Sequence, residues 1–390
     1  MKILYFTFNV PSETFGGGIC ILQSLFSISQ FADVDYVGPE FESEELAKYG
    51  IKLSNIYCIH HSNNLILRFV NTLFYGISTG FYQSWKKVIH SLEISQYDCI
   101  FMDSTRQDFV VRWAKQFSKP IIIRAHNVEI DYFEAMYRND RKFSVLIHKN
   151  IIKRSERELF RFADYIIALT ENDRKRFIEL YGGDEKRISV VPICIKPFNQ
   201  DLYERLPEPF IAITGSLWFG PNAHGTEWFL DKVWRNIGED ILSKYSLVIA
   251  GSNPSEKITE LARQLPKVNL YPNPDCIDAF YQQASVYVAP IFYGAGMKVK
   301  VAEALSCGIP VVTTKHAFSG YEAAADGIYL ANTEDQFKEQ LLKIARFTDY
   351  EMEEHKRRIS DIFHSNFSME RSAVCMRTII EDLMNRKYRL

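Results

Sequence analysis

The 390-residue chain is 47% hydrophobic and 24% charged, which suits a soluble globular protein with room for two ordinary domains, each with a sizeable core. A formal net charge of −2 gives no ground for a nucleic-acid partner. Seven cysteines, an odd number with no Cys-x-x-Cys pair, indicate neither a disulfide framework nor a zinc site, and a reducing cytoplasm is the simplest compartment for them.

In chain order, residues 3–8 predict an apolar strand, in a start too brief for a signal peptide. Gly16, Gly17 and Gly18 then open an amphipathic run over residues 19–31, the beginning of a Rossmann-like βα unit. The spacing is not Gly-x-Gly-x-x-Gly, so it does not specify a dinucleotide. Three glycines at a helix start serve either as a flexible turn or as a place where backbone approaches a phosphate or sugar. Asp33 and Asp35 imitate an Asp-x-Asp metal motif, but they adjoin a strand at 34–37 and read better as a turn into it. Residues 65–85 are apolar and aromatic: a helix pair packed on the sheet, or an acceptor-binding or membrane-facing surface. Aromatics make up 14% of the chain and suit sugar stacking and a Phe-rich core alike. No apolar stretch reaches the roughly 18–20 residues of a membrane span.

Strands follow at 98–102 and 120–123, and the second leads directly into Arg124, Ala125 and His126. A histidine just past the C-terminal end of a parallel strand lies where open α/β sheets bind ligands. Residues 138–161 predict one helix with eight basic and three acidic residues, net +5. Such a basic amphipathic helix either docks anionic lipid or a lipid-diphosphate acceptor, or is a solvated face with ion pairs. A strand at 163–169 ends at Thr170, which caps the next helix with Asp173 answering three residues later. A strand at 188–192 closes the first half.

Residues 196–209 carry Pro197, Pro207 and Pro209 and read as an interdomain linker. The chain then starts afresh with a strand at 210–214, a turn at Gly215 and Ser216, and a helix bearing Trp228, Phe229, Val233 and Trp234. Strands at 247–250 and 268–271 and a helix at 275–284 lead to an apolar strand at 286–291. Gly294 and Gly296 form a loop, a helix begins near Met297, Gly308 and Pro310 stop it, and a strand at 311–314 follows. A short strand at 327–330 and helices at 333–347, 350–361 and 367–390 complete the chain.

Charge placement singles out that loop and helix. Lys298 and Lys300 stand at a helix start, where free N–H groups and the dipole already favour an anion. A bound diphosphate removes the conflict, and Glu303 one turn on can accept hydrogen bonds from a ribose diol. Two solvated lysines and a dipole-friendly glutamate are the plainer alternative.

The segment Lys298-Val-Lys300-Val-Ala-Glu303, followed by Gly308-Ile-Pro-Val-Val312, resembles the donor-nucleotide motif of the family-4 retaining glycosyltransferases, which have the GT-B fold. The family often carries an earlier glutamate eight residues before the second; here that position is Ala295. The turn Gly215-Ser216-Leu217, with Pro221-Asn222 beyond it, and the His126-Asn127-x-Glu129 segment also resemble the family.

The resemblance implies an α/β protein of two Rossmann-like parallel-sheet domains facing across a cleft. The domains are expected at 1–195 on the acceptor side and 210–365 on the donor side, with helix 366–390 returning to the first. It implies transfer of a sugar from a nucleotide-diphosphate sugar to an acceptor hydroxyl with retention, in glycan or polysaccharide biosynthesis, at the cytoplasmic face of a membrane or free in the cytoplasm. Lys298 and Lys300 are expected to hold the diphosphate and Glu303 the ribose, with the amides of Gly215 and Ser216 opposite. Gly16, Gly17 and Gly18 would line the donor, and His126 would lie near the transferred sugar. The nucleotide sugar is a co-substrate and no metal or further cofactor is expected. The acceptor is a lipid-linked glycan, a protein or a small molecule. Two other functions fit the same fold: a sugar-nucleotide 2-epimerase, and a non-catalytic partner subunit, which Ala295 makes conceivable.

Overall fold

The computed structural model describes residues 1–64, 66, 71–72, 79–139, 143–198, 206 and 209–387. The chain divides into two compact units, Met1–Cys194 with Met369–Leu390, and Ile195–Ser368. The linker expected at 196–209 and the apolar stretch at 65–85 fall largely outside the described residues.

Each unit is built on one parallel sheet. The first has seven strands: β1 (Lys2–Thr7), β2 (Asp33–Gly38), β3 (Asn55–Cys58), β4 (Cys99–Asp103), β5 (Ile121–Arg124), β6 (Tyr165–Ala168) and β7 (Ile188–Val190), ordered β3-β2-β1-β4-β5-β6-β7. The second has six: β8 (Phe210–Thr214), β9 (Ser246–Gly251), β10 (Val268–Pro272), β11 (Val286–Ala289), β12 (Val311–Thr313) and β13 (Ile328–Leu330), ordered β10-β9-β8-β11-β12-β13. Parallel strands need crossovers that cover both faces, so their residues are apolar in unbroken runs; β8 is buried at all five positions. In each sheet the order reverses beside the first strand, between β1 and β4 and between β8 and β11. At such a reversal the loops leave in opposite directions and open a crevice at the strands' C-terminal ends.

The helices that matter for the site are α1 (Gly16–Ser29), α2 (Glu129–Asn139), α3 (Phe143–Phe162), α4 (Gly220–Trp228), α5 (Val299–Ser306) and α6 (Met369–Lys387). The chain's last helix, α6, belongs to the first unit, where Met376 and Ile380 are buried with Ile21, Leu22 and Leu25 of α1. A polar seam ties the same pieces: Gln23 donates to Ser372 Oγ (2.8 Å) and to Pro192 O (2.9 Å), and accepts from the wholly buried Arg124 (2.6 Å).

The single helix expected over 138–161 is two. Helix α2 ends at Asn139 and α3 starts at Phe143, with 140–142 outside the described residues. On α3, Ile151, Ile152 and Leu159 are buried, while Lys153, Arg154, Arg157 and Arg161 are exposed. That part of the apolar stripe is therefore spent on the core and does not face outward, which corrects the picture of a helix with a free amphipathic surface. Glu156, also buried, accepts the Glu129 (2.8 Å) and Ile130 (3.2 Å) amides at the start of α2 and the Tyr181 hydroxyl (2.7 Å). The Asp33/Asp35 pair is structural: Asp35 is buried and takes Lys2 (3.1 Å), Asn55 (2.9 Å) and the Tyr97 hydroxyl (2.7 Å). Thr170 caps its helix as expected, accepting the Asp173 amide at 2.9 Å.

Candidate functional site

In the second unit the predicted residues meet at the reversal between β8 and β11. Strand β8 ends at Thr214, and Gly215 follows with φ 129°, a conformation that favours glycine. A Cβ there would also lie 2.6 Å from Lys300 Nζ, so a side chain at 215 would displace the ammonium from its place against the turn. Strand β11 ends at Ala289, and the loop with Gly294 and Gly296, both at positive φ, delivers the chain to α5.

Lys298 is the N-cap of α5 and Lys300 lies in its first turn. Both ammonium groups have partners within the protein. Lys298 Nζ folds back on its own loop and donates to the carbonyls of Gly294 (3.3 Å), Ala295 (2.9 Å) and Gly296 (2.6 Å). Position 295 thus contributes a main-chain oxygen where the resemblance puts a carboxylate. Lys300 Nζ donates to Thr214 O (3.0 Å) and Asn222 Oδ1 (2.9 Å), and Asn222 in turn donates to Ser216 O (3.1 Å). Burial pushes the Lys300 ammonium down to about 8, against the pull of Glu303.

Glu303 is half-buried on the next turn, and Tyr281 donates its hydroxyl to Oε2 at 2.5 Å. The other oxygen, Oε1, has no hydrogen-bond partner among the described residues. Burial raises the Glu303 carboxyl above its ordinary value, opposed by the Tyr281 hydrogen bond and by Lys300. The Gly215 amide, expected to face a ligand, is committed instead to Ala250 O (3.1 Å). Beside the loop, His316 Nε2 meets Gly294 O (2.7 Å), and burial lowers its pKa with Lys298 adding to the effect.

A second cluster lies in the first unit. Helix α1 begins at Gly16, and a Cβ on Gly18 would come within 2.4 Å of Ser12 O, so only glycine lets that loop fold so close. A Cβ on Gly17 would lie 3.9 Å from His126 Nδ1. His126 is buried just beyond β5, and its Nε2 pairs with Asp103 Oδ1 at the end of β4. Asp103 Oδ2 accepts the Tyr5 hydroxyl at 2.5 Å. Burial alone would raise the Asp103 carboxyl, but His126 and Arg124 outweigh it and hold it below its ordinary value.

Lys298, Lys300, Glu303, Gly215 and Ser216 therefore come together in one unit, and Gly16, Gly17, Gly18 and His126 in the other. Asp103, Thr214, Asn222 and Tyr281 were not predicted. Asp103 and Thr214 could have been found by the rule that picked out His126, since each ends a buried strand at a reversal. Tyr281 carried no such signal.

Two family descriptions match the chain: Glycosyltransferase Family 4 over residues 33–197 and Glycosyl transferases group 1 over residues 208–346. A Klebsiella pneumoniae protein described as an uncharacterized 44.6 kDa protein in the cps region is 22% identical over 264 residues, covering 64% of this chain. The chain spans 66% of that relative's length. Among solved structures, Anabaena Alr3699/HepE in complex with UDP superposes with a TM-score of 0.64 at 14% identity, covering 98% of this chain and 100% of its own. A glycosyltransferase from Rickettsia africae gives 0.66 at 14% identity, covering 98% of each chain. At such identities these likenesses speak for the fold. With the two sheets, their reversal points and the two family matches, the chain belongs to the group 1, family 4 glycosyltransferases of GT-B fold.

Proposed function

We propose that the protein moves a sugar from a nucleoside-diphosphate sugar to an acceptor hydroxyl, with retention at the anomeric carbon and without a divalent metal, in polysaccharide biosynthesis. The observation that carries this is Lys300, held between Thr214 O and Asn222 in the first turn of a helix whose next turn presents Glu303. Nζ there has the charge, and α5 the N–H groups, to hold a diphosphate. Lys298 would leave its loop carbonyls for the phosphate oxygens, and Ser216 N–H would add a donor. Glu303 Oε1 would take the ribose diol. The binding of UDP and UDP-glucose by the Anabaena protein supports a nucleotide-sugar donor. The cps-region relative supports a polysaccharide setting.

In this reading the anomeric C–O bond to the diphosphate breaks while the acceptor oxygen attacks from the same face. The acceptor proton passes to the departing phosphate oxygen. The two lysines stabilise charge growing on the leaving group, where preplaced cations act most strongly. His126, held by Asp103, would hydrogen-bond a hydroxyl of the transferred sugar, with Gly16, Gly17 and Gly18 allowing the donor close to the backbone. Exposed Lys153, Arg154, Arg157 and Arg161 would bring the enzyme to an anionic membrane surface by charge alone. Co-sedimentation with anionic vesicles that fades in salt, and none with neutral vesicles, is expected; equal binding to both contradicts it.

The test is NMR of UDP-, GDP-, ADP- and CDP-sugars with the protein. Slow release of free sugar as the α-anomer from an α-linked donor is expected. Inversion at C2 of the intact donor makes the protein an epimerase, and binding without turnover beside any acceptor makes it a non-catalytic subunit. Among the described residues no helix is long and apolar enough to cross a membrane.

A further inference from the structure

Behind Glu303 lies a buried hydroxyl relay that the proposed chemistry does not use. Thr214 Oγ1 donates to the Tyr281 hydroxyl at 2.5 Å, and that hydroxyl donates to Glu303 Oε2 at 2.5 Å. Tyr287 closes the cluster, 2.8 Å from Thr214 Oγ1. Tyr281 is buried and stacked between Tyr287 (centroids 5.1 Å apart) and Phe198 (5.3 Å), which fixes its ring. Thr214 also supplies the carbonyl that accepts Lys300, so one residue braces both the cation and the carboxylate.

We propose that Tyr281 is a positioning residue for ribose recognition: its hydroxyl, braced by Thr214, fixes Glu303 so that Oε1 faces the ribose diol, and preference for ribonucleotide over 2′-deoxyribonucleotide donors depends on a phenol that does not touch the nucleotide. Burial and the Glu303 charge hold the Tyr281 phenol well above its ordinary value, so it stays a donor and keeps Glu303 an acceptor. A carboxylate free to swing would bind ribose and deoxyribose donors more nearly alike, since its second hydrogen bond sets its angle. The inference rests on the reading above that Glu303 holds the ribose.

Isothermal titration calorimetry of UDP, GDP, ADP and CDP, each beside its 2′-deoxy analogue, separates the two claims. Wild type is expected to favour the ribonucleotide by roughly tenfold or more, the size of one hydrogen bond to a charged group. Tyr281→Phe is expected to reduce that preference to about threefold or less by weakening the ribonucleotide more than the deoxy analogue, which keeps only the 3′-hydroxyl; a general loss of structure would weaken both by the same factor. Thr214→Val keeps the carbonyl that holds Lys300 and is expected to lower the preference part way, which covers failure of the first variant to fold. Full wild-type preference in the folded variants overturns the role of Tyr281 and leaves Glu303 standing. No preference in wild type overturns the Glu303 reading, and this inference with it.

Discussion

Lys300 is the residue on which the proposed chemistry rests, and its environment works against it. Burial lowers its ammonium from 10.5 to about 8, so the charge that would hold a diphosphate is lost within an accessible pH range. The sign is definite: the folded state binds fewer protons than the unfolded state between about 8 and 10.5, so this group adds stability as pH rises through that window while diphosphate binding fails. Nucleoside-diphosphate affinity is therefore expected to be flat below about pH 8 and to fall by up to tenfold per unit above it, measured by calorimetry; affinity unchanged to pH 9.5 would contradict this. Lys298, Lys300 and Glu303 were singled out in the sequence because two cations at a helix start break a local rule and the stretch resembles a family motif, and the structure sets all three at the start of one helix. What each lysine touches was not legible. The three carbonyls converge on Lys298 in a loop that Gly294 and Gly296 turn at positive φ.

At the scale of elements, the buried strands were read to within a residue or two, and β8 at its observed ends, because each is apolar on both faces. Strand β3 was missed: Asn55–Cys58 is an edge strand, exposed or half-exposed throughout, with no apolar run to mark it. Most of α2 was missed, and the helix read from 138 began five residues ahead of α3, because the basic residues 138, 141 and 142 were counted with those of α3. Glu156 shows how the two helices are joined, since its carboxylate caps α2 from α3. Burial raises that carboxyl from 4.5 to about 7 against the Tyr181 and backbone hydrogen bonds. The folded state then holds a proton that the unfolded state releases, so this group's contribution declines as pH rises from about 4.5 to 7. Urea unfolding from pH 5 to 8 should show this slope in wild type and a flatter one in Glu156→Gln; identical slopes would refute the assignment.

At the scale of the molecule, two sheets with the same reversal each gather one cluster of polar side chains, and the last helix returns to the unit where the chain began. Met376 and Ile380 are wholly buried in the first unit, so its core depends on residues some 370 positions from its first strand. Met376→Ala is expected to cost the first unit about 2–5 kcal/mol. Hydrogen exchange should show lost protection across β1 to β7 and none across β8 to β13; equal loss in both would mean that the units unfold as one. A grip of the second unit on a nucleoside diphosphate through Lys300 is decided by titrating UDP, GDP, ADP and CDP into wild type and Lys300→Ala. At least one should bind wild type and lose about 30-fold or more in affinity in the variant, roughly 2 kcal/mol or above. Equal affinity in the two proteins, or no binding of any of the four to wild type, would contradict it.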